Sequence, residues 1–195
     1  MPNWCFTKIV ITHDDTNELK VFDKLLDQWT SRNYKTNGFG HNWLGNIVLG
    51  SGIGTVDTNP ETDFECRGTI DHKEIYMDEL IIDTSTAWKP MLRMWVELVN
   101  KFIPDANITY TAEESSDDLY YTNDPDLEGK YVIDSWDERV ESDYEAEESN
   151  VIKTLQELLE TTESDVDKLI QMSFDKENYV GIHKWEYKNI ESFND

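Results

Sequence analysis

The side chains best able to do specific chemistry lie between Glu113 and Glu148. This stretch holds 15 Asp or Glu residues and only two cations, Lys130 and Arg139, so its net charge is −13. Five aromatic residues are interleaved with the acids. Clustered carboxylates can ligate divalent cations, transfer protons, or present a negative field to a basic surface. The spacing of the individual residues distinguishes these three kinds of chemistry.

Cation binding is the first kind. The segment Asp124–Gly129 follows the first half of a calcium-binding loop, with acids at loop positions one, three and five and glycine at position six. The twelfth position is Ser135, which cannot supply the bidentate carboxylate that such a loop requires. We therefore predict no metal site and no cofactor, and expect at most weak, adventitious cation binding at Asp124–Glu128.

Catalysis is the second kind, and its usual residue patterns are missing from the sequence. No two histidines have the spacing of metal ligands on a helix, and neither cysteine has a context that would activate its thiol. The segment Gly50–Thr55 lacks the Gly-Lys-Ser/Thr ending of a phosphate-binding loop. We predict that the protein is not an enzyme, with a metal-dependent hydrolase or nuclease as a minor alternative. The residues considered as possible nucleophiles or metal ligands are Cys5, Cys66, His13, His41, His72 and His183.

Presenting a negative field is the third kind, and the charge distribution favours it. Residues 1–104 have a net charge of −5, whereas residues 105–195 have a net charge of −19. A surface of this kind can imitate the phosphates of a nucleic acid and occupy a basic groove of a protein. The alternative is a solvated surface that serves solubility only. We predict these partner-binding residues: Glu113, Glu114, Asp117, Asp118, Tyr120, Tyr121, Asp124, Asp126, Glu128, Trp136, Asp137, Glu138 and Asp143.

The overall composition limits the partners and the location. The chain has 195 residues and a net charge of −24, which argues against direct binding to nucleic acid or to an anionic membrane. Two cysteines do not form the disulfide framework of a secreted protein, and no apolar run has membrane-spanning length. We predict a cytoplasmic protein whose partner is the basic surface of another protein.

The predicted elements that would position these residues follow an α+β pattern. Aromatic and β-branched residues predict a strand over 4–12, and helical spacing predicts helices over 15–30 and 90–102. Strands are predicted at 64–71, 75–84 and 107–113, with a hairpin turn at Asp71–Glu74. The order strand–helix–strand–strand–helix–strand indicates a ferredoxin-like antiparallel sheet with helices on one face. The predicted buried stripes are Phe22, Leu26 and Trp29 on the first helix and Leu92, Trp95 and Val99 on the second.

The remainder of the chain predicts a helical extension after the acidic segment. A strand is predicted at 130–136 that could pair with the main sheet, followed by helices at 149–162 and 164–172 and a strand at 178–187. We predict a ferredoxin-like core over 1–115, an acidic segment over 116–148, and a helical carboxyl-terminal portion over 149–195 that packs on the core.

Two motifs resemble a known family. The opening Pro2-Asn3-Trp4-Cys5 and the segment Ser85-Thr86-Ala87-Trp88-Lys89-Pro90 are similar to the YubB ferredoxin-like family of phage and plasmid proteins. The resemblance covers about residues 1–115 and implies a ferredoxin-like core and an origin on a mobile element, but no established activity. From residue type alone, Trp4 and Trp88 are expected to anchor the core, and Ser85 and Thr86 to cap the following helix.

These observations lead to one functional expectation and one alternative. We expect a phage or mobile-element protein that inhibits a host nucleic-acid-handling defence protein, of the anti-CRISPR or anti-restriction type, through an acidic surface that mimics nucleic acid. The alternative is a non-catalytic interaction or scaffold domain whose acidity serves only solubility.

Overall fold

Helices and strands of an α+β fold are distributed over two units of the chain. The computed structural model describes residues 3–32, 40–56, 64–114, 116, 118–135, 137, 139–174 and 180–193. Unit 1 contains the described residues up to Asn123 and those from Lys188 onward, and unit 2 is Asp124–Tyr187. These limits differ from the divisions predicted after residues 115 and 148. The reason is that a strand beyond residue 115 pairs within unit 1, and the chain returns to unit 1 after unit 2.

Unit 1 is built on one antiparallel sheet. Its described elements are β1 (Trp4–Thr12), α1 (Thr16–Thr30), α2 (Leu44–Ser51), β2 (Gly68–Tyr76), β3 (Glu79–Ala87), α3 (Leu92–Phe102), β4 (Asn107–Glu114), β5 (Leu119–Thr122) and a short 3-10 helix, Ile190–Ser192. The strands are ordered β2-β3-β1-β4-β5, and each neighbouring pair is antiparallel. β1 is therefore central, with β3 on one side and β4 on the other.

Alternation along β1 gives the sheet its two faces. Cys5, Thr7, Ile9 and Ile11 are buried, whereas the residues between them are exposed or half-buried. Successive side chains of a strand point to opposite faces, so the buried set defines an inner face that the core covers. We call the opposite face, which carries the alternate residues of β1 from Trp4 to Thr12, the outer face.

The two long helices bury the residues that the sequence predicts. Asp15 caps α1 by accepting a hydrogen bond from the Asn17 amide at 2.8 Å, which satisfies one of the free amides at the helix start. Phe22, Leu26 and Trp29 of α1 are buried, and so are Leu92, Trp95 and Val99 of α3. The predicted helical stripes are therefore confirmed. All six residues belong to the same core as the inner face of β1.

The predicted hairpin turn is displaced along the chain. Asp71–Glu74 lies inside β2, and the chain instead turns at Met77 and Asp78, between the paired residues Tyr76 and Glu79. Met77 has a φ of 53°, in the left-handed region that tight hairpins use. The polar run fits a strand because Lys73 pairs with Asp23 and Asp27 of α1, and the register shifts between Ile70 and His72.

A helix that the sequence analysis did not predict, α2, lies between α1 and β2. Two of its glycines disfavour a helix by propensity but are required by packing. A Cβ atom on Gly45 would lie 2.4 Å from the Trp43 ring, and one on Gly50 would lie 2.6 Å from the Trp29 ring. Glycine therefore lets two indole rings lie directly against the helix.

Two of the expected motif roles are wrong. Trp4 is 41% exposed and Trp88 is 47% exposed, so neither anchors the core. Trp4 belongs to the outer face of β1, and Trp88 has a φ of 67° beyond the end of β3. Ser85 and Thr86 lie within β3 and do not cap α3. The Thr86 hydroxyl instead donates to the Lys89 carbonyl at 2.8 Å, and α3 begins after Met91 without a side-chain cap.

Unit 2 has its own sheet and core. Its described elements are β6 (Tyr131–Ser135), β7 (Asp143–Ala146), α4 (Glu148–Leu159), α5 (Val166–Phe174), β8 (Val180–Lys184) and β9 (Glu186–Tyr187). The sheet consists of β6, β7 and β8. β6 lies between β7 and β8 and is antiparallel to both, so the expected pairing of this strand with the main sheet is wrong. Val151, Leu155 and Leu159, spaced four residues apart on α4, are buried against the sheet residues Tyr131 and Ile133.

None of the helices within the described ranges has both the length and the apolar character needed to cross a membrane.

Replacing Trp95 by alanine should test the packing of α3. Trp95 is 1% exposed and is one of the largest fully buried side chains, so we expect Trp95→Ala to lower the free energy of unfolding by about 3–5 kcal/mol. The matched control is Trp88→Ala, which removes an exposed ring and should cost less than about 1 kcal/mol. Urea titrations of both variants measure the difference, and equal small losses would contradict the placement of α3.

Candidate functional site

The predicted partner-binding residues belong to both units. Asp117, Trp136 and Glu138 lie outside the described residues. The other ten are divided between the units. Unit 1 contains Glu113, Glu114, Asp118, Tyr120 and Tyr121, and unit 2 contains Asp124, Asp126, Glu128, Asp137 and Asp143.

Two of the unit 1 candidates are buried. Glu114 is 2% exposed and Tyr120 is 4% exposed, so neither can contact a partner as the sequence analysis expected. The Glu114 carboxylate accepts a hydrogen bond from the Ser116 amide at 3.0 Å, which fixes the turn after β4. Alternation along β4 sends Glu114 to the buried side and leaves Glu113 half-buried on the outer face.

Tyr121 has an internal role as well. The Lys188 ammonium lies 4.1 Å from the centre of its ring, and the Phe193 ring lies 6.3 Å away. The cation therefore stacks on the tyrosine from within the same unit. Phe193 also packs edge-on to Tyr110 at 5.7 Å, so these side chains join the returning chain to the core.

Several acids of unit 2 are bound to their own backbone. Asp124 accepts from the Asp126 amide and Asp143 from the Glu145 amide, both at 2.9 Å. These are the local turns that aspartate favours by bonding an amide two residues ahead. Leu127, inside the calcium-loop-like segment, is buried, so that segment is a packed turn. Among the described residues, no group of three His, Cys, Asp or Glu side chains is placed to hold a metal ion.

Among the described residues of unit 2, Asp137 and Arg139 form the closest ion pair. The Arg139 Nη2 atom lies 2.5 Å from Asp137 Oδ2, and Arg139 Nε and the Arg139 amide both donate to Asp137 Oδ1. These hydrogen bonds lower the pKa of Asp137 from 3.8 to about 2. The charge of the Asp137 carboxylate is thus already balanced by Arg139 within the protein. Asp137 is therefore a weaker candidate for binding a partner's cation than its sequence context suggested.

The sequence-based candidates missed many of the exposed acids. Unit 2 has 19 Asp or Glu residues and six Lys or Arg residues, a net charge of −13 over 64 positions. Its described acids are all exposed or half-buried. For the acids of β7 and α4, the signal that could have found them is the polar side of these elements, opposite the apolar residues that unit 2 buries. These additional exposed acids are Glu141, Glu145, Glu147, Glu148, Glu157, Glu160, Asp165, Asp167 and Glu186.

A cavity of about 750 Å³ lies within unit 2, between α4 and the segment 139–143. Its lining mixes carboxylates and cations, so it does not present a field of one sign. The charged residues that line it are Arg139, Glu141, Asp143, Lys153 and Glu157. The Ser142 hydroxyl in this lining accepts from the Ser135 amide at 3.1 Å, which gives it a structural role between β6 and β7.

Both cysteines are free and buried. Burial raises the pKa of the Cys5 thiol to about 11, with a further increase from the nearby carboxylates of Glu114 and Glu113. The nucleophilic form of cysteine is the thiolate, so this environment makes Cys5 unreactive at neutral pH. Cys66 is 1% exposed, and the Trp43 indole nitrogen donates to its carbonyl at 2.5 Å.

Comparison with known proteins gives no relative on which to base a site assignment. No family model, curated protein or solved structure matches the chain. The similarity of residues 1–115 to the YubB family stays a prediction from its motifs. The candidate site accordingly rests on the acids, aromatic residues and faces described above.

Thiol labelling should test the environment of the cysteines. At pH 8 a thiol with a pKa of about 11 is ionised in about one molecule in a thousand. We expect a disulfide reagent to label the folded protein at least about 100-fold more slowly than the protein unfolded in guanidinium. Cys66→Ser and Cys5→Ala assign each thiol, and rapid labelling of Cys5 in the folded protein would contradict its buried position.

The Asp137–Arg139 pair gives a pH prediction. Because the pKa of Asp137 is lower in the folded protein than in the unfolded chain, its contribution to stability is present above pH 3.8 and is lost as the pH falls towards 2. Carbon-detected NMR should show Asp137 about 90% ionised at pH 3. Arg139→Gln removes the side-chain hydrogen bonds but keeps the amide of residue 139, so it should raise the protonated fraction of Asp137 at that pH, whereas Lys168→Gln should change nothing. Identical titration in wild type and Arg139→Gln would exclude the ion pair.

Proposed function

We propose that this protein, carried by a phage or related mobile element, acts in the host cytoplasm by binding a nucleic-acid-handling defence protein. Its acidic surface would occupy a groove lined by lysine and arginine and thereby compete with nucleic acid, as anti-CRISPR and anti-restriction inhibitors would. The mechanism needs no chemical step and no cofactor. The partner is the basic surface of another protein, and neither nucleic acid nor membrane is contacted.

The observation that carries the proposal is the charge of unit 2. Its six cations cannot neutralise 19 carboxylates, and its described acids have access to solvent. The ion pairs within its described part involve Arg139 and Lys168. Each of these cations is itself exposed, so it reduces the field only locally. A folded unit can hold such charges at fixed positions, as a mimic of nucleic acid requires.

Repulsion among these carboxylates supplies part of the driving force. Carboxylates that repel one another in the free protein are relieved when a partner's cations approach, which favours the complex and speeds the encounter. Ions in solution screen the same interaction, with a Debye length of about 10 Å at 0.1 M salt. A complex formed in this way should weaken steeply as salt rises.

One observation favours the alternative, a non-catalytic interaction or scaffold domain. Asp124, Asp137 and Asp143 each accept hydrogen bonds within the protein, as turns and ion pairs of ordinary surfaces do. If all the acids had such roles, the charge would serve folding and solubility alone. The two functions differ most in the role that they give to three exposed acids, Asp126, Glu128 and Glu145.

We further infer that unit 1 is ferredoxin-like. Support comes from the sheet order β2-β3-β1-β4, with β1 and β3 adjacent in the centre and helices α1 and α3 following them in the chain. β5 extends this arrangement beyond β4, and α2 is an addition after α1. The motifs of residues 1–115 that resemble the YubB family agree with this inference.

Neutralising exposed acids of unit 2 should abolish the proposed inhibition. The variant D126N/E128Q/E141Q/E145Q removes four exposed carboxylates and should leave stability within about 1 kcal/mol, because surface changes are individually small. The measurement is phage plating efficiency on bacteria that carry restriction or CRISPR defence and express the protein. Wild type should restore plating, and the variant should lose most of this effect, because we expect it to bind the partner about tenfold or more weakly, a loss of about 1.4 kcal/mol.

A variant with the same net charge provides the control. D14N/D78N/E97Q/D105N removes four exposed acids of unit 1 and should restore plating as wild type does. With the purified defence complex, binding should weaken between about 50 and 300 mM salt and be competed by DNA. Binding that responds to neither salt nor the unit 2 substitutions would return the scaffold alternative to first place.

A further inference from the structure

The outer face of the unit 1 sheet carries large aromatic side chains in contact with solvent. Trp4 is 41% exposed and Phe6 is 54% exposed, and they are neighbours on one side of β1. Tyr76, on β2 at the far end of the same face, is also exposed but lies apart from this pair. The helices of unit 1 bury the inner face, so they leave these rings uncovered. A cluster of exposed aromatic residues on a folded protein commonly marks a binding surface.

Carboxylates flank Phe6 on both sides. Phe6 lies opposite Glu113 on β4 and opposite Ser85 on β3. The Ser85 hydroxyl is hydrogen-bonded to the Asp71 carboxylate. Directly opposite residues on neighbouring strands have Cβ atoms roughly 4.5–5.5 Å apart, so Glu113 is within reach of a group placed on the Phe6 ring. Thr69 also donates to Asp71 at 3.0 Å, which holds that carboxylate in place.

The charge of the outer face selects the chemistry of its ligand. Its strand positions carry five carboxylates and one lysine, Lys8. The carboxylates are Asp71, Glu74, Glu79, Asp83 and Glu113. Aromatic residues on an open sheet can stack nucleic-acid bases, but such surfaces must also accept phosphates. A face with this excess of negative charge repels a polyanion and attracts a cation.

A guanidinium group can bind both the aromatic rings and the carboxylates of this surface. It stacks on aromatic rings through its planar face and donates paired hydrogen bonds to carboxylates at its edge. The same kind of contact exists beside the outer face, where the guanidinium carbon of Arg67 lies 5.3 Å from the centre of the Trp88 ring. Trp88 is tied to this end of β1, because its amide donates to the Asn3 carbonyl at 2.8 Å.

We propose that the outer face around Trp4, Phe6 and Glu113 binds an arginine-containing segment of a protein partner. An arginine would stack on Phe6 and pair with Glu113 or Asp71, and Trp4 would cover its aliphatic stem. This inference rests on the proposed function in that the partner is a basic protein. It adds a second, aromatic contact on unit 1 that recognises arginine, whereas the acids of unit 2 respond to charge alone.

The test titrates the labelled full-length protein with a disordered arginine–glycine peptide of about 12 residues at about 150 mM salt, followed by NMR. We expect the largest shifts at Trp4, Phe6 and Glu113. Phe6→Ala should weaken binding at these signals at least about fivefold, and Glu113→Gln about threefold. The controls are Tyr76→Ala, an exposed ring at the far end of the face, and Glu97→Gln, an exposed acid on α3. Both should bind as wild type does.

A lysine–glycine peptide of equal charge should bind more weakly at this face and lose less on Phe6→Ala, because an ammonium group lacks the planar stack. The proposal is overturned if shifts occur only in unit 2, if Phe6→Ala binds as wild type, or if oligouridine binds the outer face instead. The fold of Phe6→Ala is checked by its amide spectrum, and Phe6→Leu, which keeps an apolar side chain without a ring, gives an independent variant. Plating assays of Phe6→Ala and of the unit 2 variant separate the two possible failures. If only the unit 2 variant loses plating, this inference fails and the proposed function stands; if the unit 2 variant plates as wild type, the proposed function fails.

Discussion

The pairing of β1 with strands on both sides is the constraint on which unit 1 depends. β1 matches β3 at nine positions and β4 at seven, so its register is determined twice. A slip by one residue would bring Trp4, Phe6 and Lys8 into the core and expose Cys5 and Ile9. The same register places Glu113 beside Phe6 and Glu114 inside the protein. One pairing thus determines the core, the buried thiol and the surface that carries the exposed aromatic residues.

Much of unit 1 could be predicted from sequence because its long elements have strong periodicity. The apolar stripes of α1 and α3 and the alternation of β1 required only local pattern. The failures involve residues whose role is set by distant contacts. The polar Lys73 led to the prediction of a turn within β2. Its partners Asp23 and Asp27 lie 50 and 46 positions earlier in the chain, so local pattern does not reveal them. α2 was not predicted because its glycines disfavour a helix, and the indole rings that they accommodate cannot be seen locally. Trp4 and Trp88 are large apolar residues, yet the register of β1 and the end of β3 leave both of them exposed.

Unit 2 shows why the candidate site was harder to predict than the fold. Its strands are short, and burial does not alternate along β6 or β7, so local pattern gives little signal. Composition located the acidity within a few tens of residues, but it could not separate the acids that fix turns from those open to solvent. That distinction depends on hydrogen bonds such as those from the Asp126 and Glu145 amides to Asp124 and Asp143. The charge pattern therefore indicated a property of the surface, while the role of each carboxylate follows from backbone geometry.

The return of the chain to unit 1 after unit 2 has a consequence for synthesis of the protein. The Lys188 amide donates to the Thr122 carbonyl at 2.7 Å, Tyr110 donates to the Lys188 carbonyl at 2.9 Å, and Ile190 is buried in the first core. Residues 188–193 leave the ribosome only after all of unit 2 has been made. The first core therefore stays open around Tyr110 while unit 2 emerges, and the hydrogen bond at Lys188 then closes unit 2 into a loop held at both ends. Ribosomes that stop within unit 2 would release a chain whose amino-terminal core cannot be completed.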